Sequence, residues 1–145
     1  ICTRAQAVTF LWRAAGSPAA KSSAMPFTDV KEGKFYTEAV LWAASQGIVE
    51  GNGDGTFKPE AAITREQLAA ILYRYDGEQA VAEDVLSAFS DAGKVSNFAK
   101  EAMNWAVANG LINGIGNGAS ATLSPTASAS RAQFATILMR YMTEE

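Results

Sequence analysis

Three stretches of the chain carry apolar side chains at the spacing of one helix face. The stripes have the same phase in each stretch: Ala7, Phe10, Leu11 and Ala14; Leu68, Ile71, Leu72 and Tyr75; Phe134, Ile137, Leu138 and Tyr141. Residues at i, i+3, i+4 and i+7 lie on one side of an α helix. The pattern therefore predicts three amphipathic helices, each with one face to bury.

Each of these helices begins with nearly the same four residues. The copies are Thr3-Arg4-Ala5-Gln6, Thr64-Arg65-Glu66-Gln67 and Ser130-Arg131-Ala132-Gln133, separated by 61 and 66 residues. A hydroxyl residue followed three positions later by Gln is typical of a capping box, in which side chains and backbone N–H groups bond reciprocally. A second arginine follows ten positions after each hydroxyl residue, at Arg13, Arg74 and Arg140. We expect these second arginines to be structural or solvent-facing.

Two further helices are predicted, at about Tyr36–Gln46 and Ala99–Asn109, around apolar faces that contain Trp42 and Trp105. Gly47 and Gly110 follow them, and glycine readily adopts the left-handed conformation that ends a helix. Glycine loops come next, Gly51-Asn52-Gly53-Asp54-Gly55 in one copy and Gly114-Ile115-Gly116-Asn117-Gly118 in the other. One repeat therefore consists of a helix, a glycine loop and a closing helix.

The repeats predict an all-α fold and a single domain over residues 1–145. Residues 25–77 and 88–145 are full repeats, and residues 1–16 are the closing helix of a truncated repeat, so we expect the chain to be part of a longer polypeptide. The connector at 16–26 is expected to be extended, and the one at 76–87 to hold a short helical turn at about 81–86. Three helices with matching stripes can bury them together, which predicts a central pseudo-threefold three-helix bundle.

Composition narrows the classes of function. The 145 residues are 48% apolar and 19% charged, with a net charge of −3, which is typical of a globular protein and argues against nucleic acid as a partner. No run approaches eighteen apolar residues, so no membrane insertion is expected. The absence of histidine removes the usual general base and most zinc sites, and Cys2 stands alone. We expect neither an enzyme nor a metal or cofactor.

Five landmarks recur in the same order in both full repeats. They are an aromatic-Ser/Thr-Asp opening (Phe27-Thr28-Asp29, Phe89-Ser90-Asp91), a Trp five residues before Gly-Ile/Leu, a Gly-x-Gly loop, an apolar-x-Pro segment (Phe57-Lys58-Pro59, Leu123-Ser124-Pro125) and the Thr/Ser-Arg helix start. In these features the whole chain resembles the S-layer homology (SLH) domain family.

The resemblance implies an extracellular module that anchors proteins non-covalently to secondary polysaccharide of the bacterial cell wall. In many members that polymer carries ketal-linked pyruvate, and the arginine of the helix-start motif lines grooves between repeats. It therefore implies that Arg4, Arg65 and Arg131 bind the ligand.

Physical chemistry supports an anion site at these helix starts. The first helical turn exposes unpaired N–H groups and the positive end of the helix dipole, and an arginine adds a planar cation that matches a carboxylate. Glycine loops allow close approach of backbone, so Gly51, Gly53, Gly114 and Gly116 are candidate ligand contacts. The sequence also offers Asn52 for sugar hydroxyls and the indoles of Trp42 and Trp105 as apolar plates.

Other interpretations remain open at this point. The arginines could clamp Asp29, Asp91 or Glu60, the two tryptophans could be core residues, and the two aspartates are expected to cap the turns that follow them. The loop at Asn52–Gly55 has the look of a calcium loop but lacks its downstream glutamate. The alternative function is a structural or protein-interaction repeat, including a homodimer formed through the truncated repeat.

Overall fold

The computed structural model describes residues 2–20, 24–50, 54–115 and 121–143. Its α helices are α1 (Arg4–Ala14), α2 (Thr37–Ser45), α3 (Arg65–Asp76), α4 (Lys100–Ala108) and α5 (Arg131–Thr143). Short 3₁₀ turns lie at Leu86–Ala88, Ala92–Lys94 and Asn97–Ala99. Over the described ranges there is no β strand, and extended pairing is limited to isolated bridges. The predicted all-α class is confirmed.

The chain divides into two compact units, Ile1–Ile63 and Thr64–Glu145. The division falls at the N-cap of α3, inside the stretch 25–77 that forms one repeat in the sequence. The first unit therefore combines the closing helix of the truncated repeat with the front half of the next repeat, and the second combines the closing helix of that repeat with the whole of the last one. The repeat boundaries and the pseudo-threefold bundle stay predictions.

In the first unit, α1 packs against α2. Ala7, Val8 and Leu11 of α1 and Ala39 and Val40 of α2 are inaccessible to solvent. Small side chains on both helices allow the two backbones to approach closely, and each buried aliphatic side chain contributes about 1.5–3 kcal/mol relative to exposure. The face that α1 buries differs in part from the predicted stripe, because Phe10 is only partly buried and Ala14 is exposed.

In the second unit, α3 packs against α4 around an aromatic cluster. The Trp105 ring lies 5.6 Å from that of Tyr73 and 6.1 Å from that of Tyr141, measured between centroids. Such tilted arrangements place ring edges against ring faces, which the aromatic quadrupole favours. The cluster ties α3, α4 and α5 together.

The predicted helix ends are confirmed. Gly47 and Gly110 have φ values of +74° and +72°, in the left-handed region. Both parts of the capping box are present at Thr3 and at Thr64. In α5 the Ser130 N–H donates to Oε1 of Gln133 at 2.8 Å, and the Gln133 N–H donates to Oγ of Ser130 at 3.0 Å.

The turn predicted at about 81–86 is misplaced. A 3₁₀ turn lies instead at Leu86–Ala88, and the preceding segment is held by Asn104 of α4. The Asn104 amide donates to the carbonyls of Val81 and Glu83 and accepts from the N–H of Val85. These contacts satisfy backbone groups that a local helical turn would otherwise pair internally.

None of the helices over the described ranges is long and apolar enough to span a bilayer.

Candidate functional site

Arg4, at the first position of α1, is held by the peptide backbone of the Phe57 segment. Its Nε donates to the Phe57 carbonyl at 2.8 Å, and its guanidinium carbon lies 4.7 Å from the centre of the Phe57 ring. The backbone N–H groups of Arg4 and Ala5 donate to the carbonyls of Ala61 and Pro59. Burial lowers the pKa of Arg4, and the nearby Asp29 carboxylate opposes this shift. The side chain remains a cation at neutral pH.

Arg65 repeats this arrangement at the start of α3. Its Nε donates to the Leu123 carbonyl at 2.8 Å, and its Nη2 donates to the Asn113 carbonyl at 3.1 Å. The N–H groups of Arg65 and Glu66 donate to the carbonyls of Ala127 and Pro125. Only 5% of Arg65 is exposed, and burial lowers its pKa while Asp91 opposes the shift. At both helix starts, the arginine therefore binds the backbone of an apolar-x-Pro segment.

Asp29 and Asp91 bind the N–H groups of the same segments. Asp29 accepts from the N–H groups of Phe57 and Lys58, both at 2.8 Å. Asp91 accepts from those of Leu123 and Ser124, at 2.7 and 2.9 Å. The expectation that Asp91 caps the turn after it is wrong, because its side chain makes no capping bond there. Its carboxylate is committed to a segment more than thirty residues away.

Electrostatics agree with this role for Asp91. Burial acts to raise the pKa of its carboxyl group, but the hydrogen bonds from Leu123 and Ser124 outweigh burial, and the net shift is downward. The arginine and the aspartate therefore meet through one residue, since Arg65 binds the carbonyl of Leu123 and Asp91 binds its N–H. The arginine–aspartate clamp considered from the sequence is therefore indirect in these contacts, with Leu123 between the two side chains.

The third helix start differs from the other two. Arg131 and Ala132 are exposed, whereas Arg65 and Glu66 are buried. Within the part of the chain that the structure describes, the Arg131 side chain forms no hydrogen bond to an apolar-x-Pro segment. Ligand binding by Arg131 stays a prediction, as it does for Arg4.

A cavity of about 310 Å³ opens beside Arg65 in the second unit. Its walls include the stretch 111–113 and the side chains of Gln133, Thr136 and Arg140 from α5. The volume is at the lower end of the range for small-molecule sites. Because Oε1 of Gln133 is used in the capping box, its NH₂ group remains as a donor. Two arginines and one glutamine are therefore among the residues that line the space.

The remaining candidates have varied surroundings. Trp42 and Trp105 are 3% and 5% exposed, so both indoles lie in the packed interior, and contact with a sugar stays a prediction.

A Cβ atom at Gly114 would lie 2.4 Å from Cε1 of Phe89, which explains this glycine by packing. Gly51, Asn52, Gly53 and Gly116 lie outside the described residues. Asp54 accepts hydrogen bonds from the backbone N–H and the hydroxyl of Thr56, which lower its pKa.

Sequence reasoning missed two charged side chains. Arg140 lines the cavity, although its repeat position gave no sign of a role different from that of Arg13. Glu66 is buried and accepts from the N–H and Oγ of Ser96 at 2.9 and 2.6 Å. Glu66 stands where the other two helix starts carry Ala, and this difference is the sequence signal from which its separate role could have been inferred.

Over the described ranges, no three acidic or cysteine side chains form a group that could hold a metal ion.

Comparison with known proteins supports the same repeat. The model of the S-layer homology domain matches residues 26–69 and 88–135, together more than half of the chain. The surface-layer 125 kDa protein of Lysinibacillus sphaericus is 36% identical over 114 residues, covering 79% of this chain and 10% of that protein. The cellulosome-anchoring protein of Acetivibrio thermocellus is 28% identical over 144 residues, covering 95% of this chain and 31% of that protein.

A solved structure shares the fold. The undecaheme cytochrome from the S-layer of Carboxydothermus ferrireducens superposes with a TM-score of 0.50 at 19% identity, covering 99% of this chain and 22% of that chain. This chain thus spans a minor part of each of these three proteins. From the family match and the shared repeat landmarks, the chain belongs to the S-layer homology domain family, the cell-surface modules that anchor proteins to the bacterial cell wall.

Proposed function

We propose that the cavity beside Arg65 binds an acidic secondary cell-wall polysaccharide, with pyruvate ketals as the recognised acid, and that this chain contributes no catalysis. The observation that carries the proposal is a buried guanidinium at a helix start that also borders a cavity. Its Nε and Nη2 bind uncharged carbonyl oxygens. Since an arginine has five N–H donors, others remain for a ligand.

The surroundings of Arg65 favour a carboxylate over a neutral sugar. Taking a cation out of water costs several kcal/mol unless an anion or several hydrogen bonds compensate. Arg140 adds a second positive charge to the same cavity, which raises the potential there although the whole chain is acidic. Gln133 and the Thr136 hydroxyl supply partners for sugar hydroxyl groups.

Thr136→Glu tests this function without removing a residue that holds the fold. The substitution adds a carboxylate to the cavity wall, one helical turn before Arg140, where an i to i+4 ion pair can form. We expect binding of purified wall polysaccharide, measured by co-sedimentation or calorimetry, to fall at least tenfold. Ala135→Glu is the matched control, because Ala135 is an exposed residue of α5 on the side away from the cavity.

Removing pyruvate from the same polymer by mild acid should reproduce the effect of Thr136→Glu. If the polymer still binds the variant as tightly as the wild type, the cavity is not the site. If binding is lost with Thr136→Glu but is indifferent to pyruvate, the carboxylate specificity is wrong. Retention of a partner protein, with no polymer bound, would support the protein-interaction alternative.

Arg65→Ala is expected to have two effects at once. It removes the proposed ligand contact, and it leaves the Leu123 and Asn113 carbonyls without their donor, which costs about 1–3 kcal/mol each where they are buried. Polymer binding should therefore be compared well below the melting temperature of the variant. Unchanged binding by folded Arg65→Ala would contradict the proposed role.

A further inference from the structure

We infer that Arg140 is a second recognition residue of this cavity, and that the cavity selects saccharides with two negative charges over those with one. This inference rests on the proposed function and deepens it. It starts from the placement of two guanidinium groups, from different repeats, on the wall of one cavity.

Both arginines are anchored to the same short segment. Nη1 of Arg140 donates to the Leu111 carbonyl at 3.4 Å, and Nη2 of Arg65 donates to the Asn113 carbonyl at 3.1 Å. These acceptors belong to residues two positions apart, whose Cα atoms are separated by no more than about 7 Å. The segment 111–113 therefore anchors both cations on one short stretch of the cavity wall.

One carboxylate pairs best with one of the two cations. The two oxygens of a carboxylate fit the fork of a single guanidinium in a bidentate contact, which leaves the second cation without a partner. Two like charges in a confined cavity repel each other, so a ligand that neutralises only one of them leaves a residual cost. A saccharide with two acid groups pairs with both.

A structural role is the competing explanation for Arg140. It lies in the last turn of α5, where a cation interacts favourably with the helix dipole. Arg13 occupies the same turn of α1 and the same repeat position, and its side chain is exposed. Arg13→Ala therefore matches Arg140→Ala in charge, in helix position and in sequence context.

The test compares two sugar acids with the same six-carbon chain. Galactarate carries a carboxylate at each end, and gluconate carries one carboxylate and a hydroxymethyl group. Titration of the whole chain, followed by NMR or calorimetry, should give at least tenfold tighter binding of galactarate. Arg140→Ala should abolish that preference, Arg140→Lys should restore part of it, and Arg13→Ala should leave it unchanged.

Equal affinity for the two acids in the wild type would overturn the inference, and so would a preference that survives Arg140→Ala. Neither result bears on the proposed function, which depends on the polymer and on Thr136→Glu. If Thr136→Glu also leaves polymer binding intact, the proposed function itself fails. Thermal melting of each variant checks that a lost preference does not come from unfolding.

Discussion

At the scale of single residues, Leu123 is the point where the charged groups of the second unit meet. Asp91 accepts from its N–H and Arg65 donates to its carbonyl, so both polar groups of one peptide residue have ionised partners. Hydrogen bonds to charged groups contribute about 1.5–3 kcal/mol, roughly twice the value for neutral pairs. The first unit repeats the arrangement with Asp29, Phe57 and Arg4.

Asp91→Asn should destabilise the protein by about 1.5–3 kcal/mol at pH 7, because the amide carries no charge and offers one acceptor oxygen instead of two. The pKa of Asp91 is lowered in the folded state. Its contribution is therefore fully present above the unfolded value of about 3.9 and is lost as pH falls through the lower folded value.

The measurement is urea unfolding from pH 7 to pH 2. The stability difference between wild type and Asp91→Asn should shrink as the pH falls below about 4. Glu83→Gln, at an exposed position, is the control and should change stability little at any pH. A constant difference across the whole range would show that the carboxylate charge is not what stabilises the Leu123 segment.

Gly114→Ala should lower the melting temperature, because its Cβ would overlap the Phe89 ring. Overpacking of this kind costs about 1–3 kcal/mol. Gly93→Ala is the matched control, since no atom lies within 4 Å of the added Cβ and its φ is not in the left-handed region. Calorimetry of the two variants separates packing from glycine flexibility, and equal melting temperatures would argue against the Phe89 contact.

At the scale of elements, the closing helices are defined locally. Each begins with a hydroxyl and Gln pair that satisfies two orphan N–H groups, whatever the rest of the fold contributes. Their starting residues therefore follow from the sequence alone. The segments that bind to these helix starts cannot be identified in this way. The apolar-x-Pro segments that contact Arg4 and Arg65 lie 53 and 58 residues further along the chain.

Thr64→Ala should destabilise the protein by about 0.5–2 kcal/mol, because the Gln67 N–H loses the hydroxyl that now accepts from it at 3.2 Å. Thr64→Ser keeps that hydroxyl, as Ser130 does in α5, and should recover most of the loss. Denaturant unfolding of the two variants is the measurement. Equal losses would mean that the Thr methyl group, rather than the cap, stabilises α3.

At the scale of the whole molecule, the negative charge lies entirely in the second unit. Residues 1–63 contain as many basic as acidic side chains, whereas residues 64–145 contain six basic and nine acidic ones. The candidate cavity is in this acidic unit. Long-range repulsion and short-range attraction toward a polyanion therefore oppose each other, and salt screens the long-range part first.

The association rate with immobilised acidic wall polymer should accordingly rise as NaCl increases from about 10 to about 100 mM, which shortens the Debye length from about 30 to about 10 Å. Surface plasmon resonance measures this rate directly. The double variant Glu78→Gln, Glu83→Gln removes two of the exposed acids and should reduce the salt effect. Association that slows steadily with salt would contradict this balance of charges.

The helices, their caps and their glycine ends follow from residue order alone. These features depend on bonds between residues three to five positions apart, so residue type and spacing are enough to predict them. Gly47 and Gly110 end α2 and α4 as expected, and the predicted bounds of both helices agree with the structure to within one residue.

Which charged groups share a site depends on packing between distant parts of the chain. Asp91 reaches Leu123 across 32 positions, and Arg140 comes to the cavity of Arg65 although its helix position is the same as that of exposed Arg13. Local spacing carries no information about such pairs, because they depend on how α3, α5 and the segments between them pack. The arginine of the helix start was predictable, whereas the carbonyls, the aspartate and the second arginine around it followed from packing.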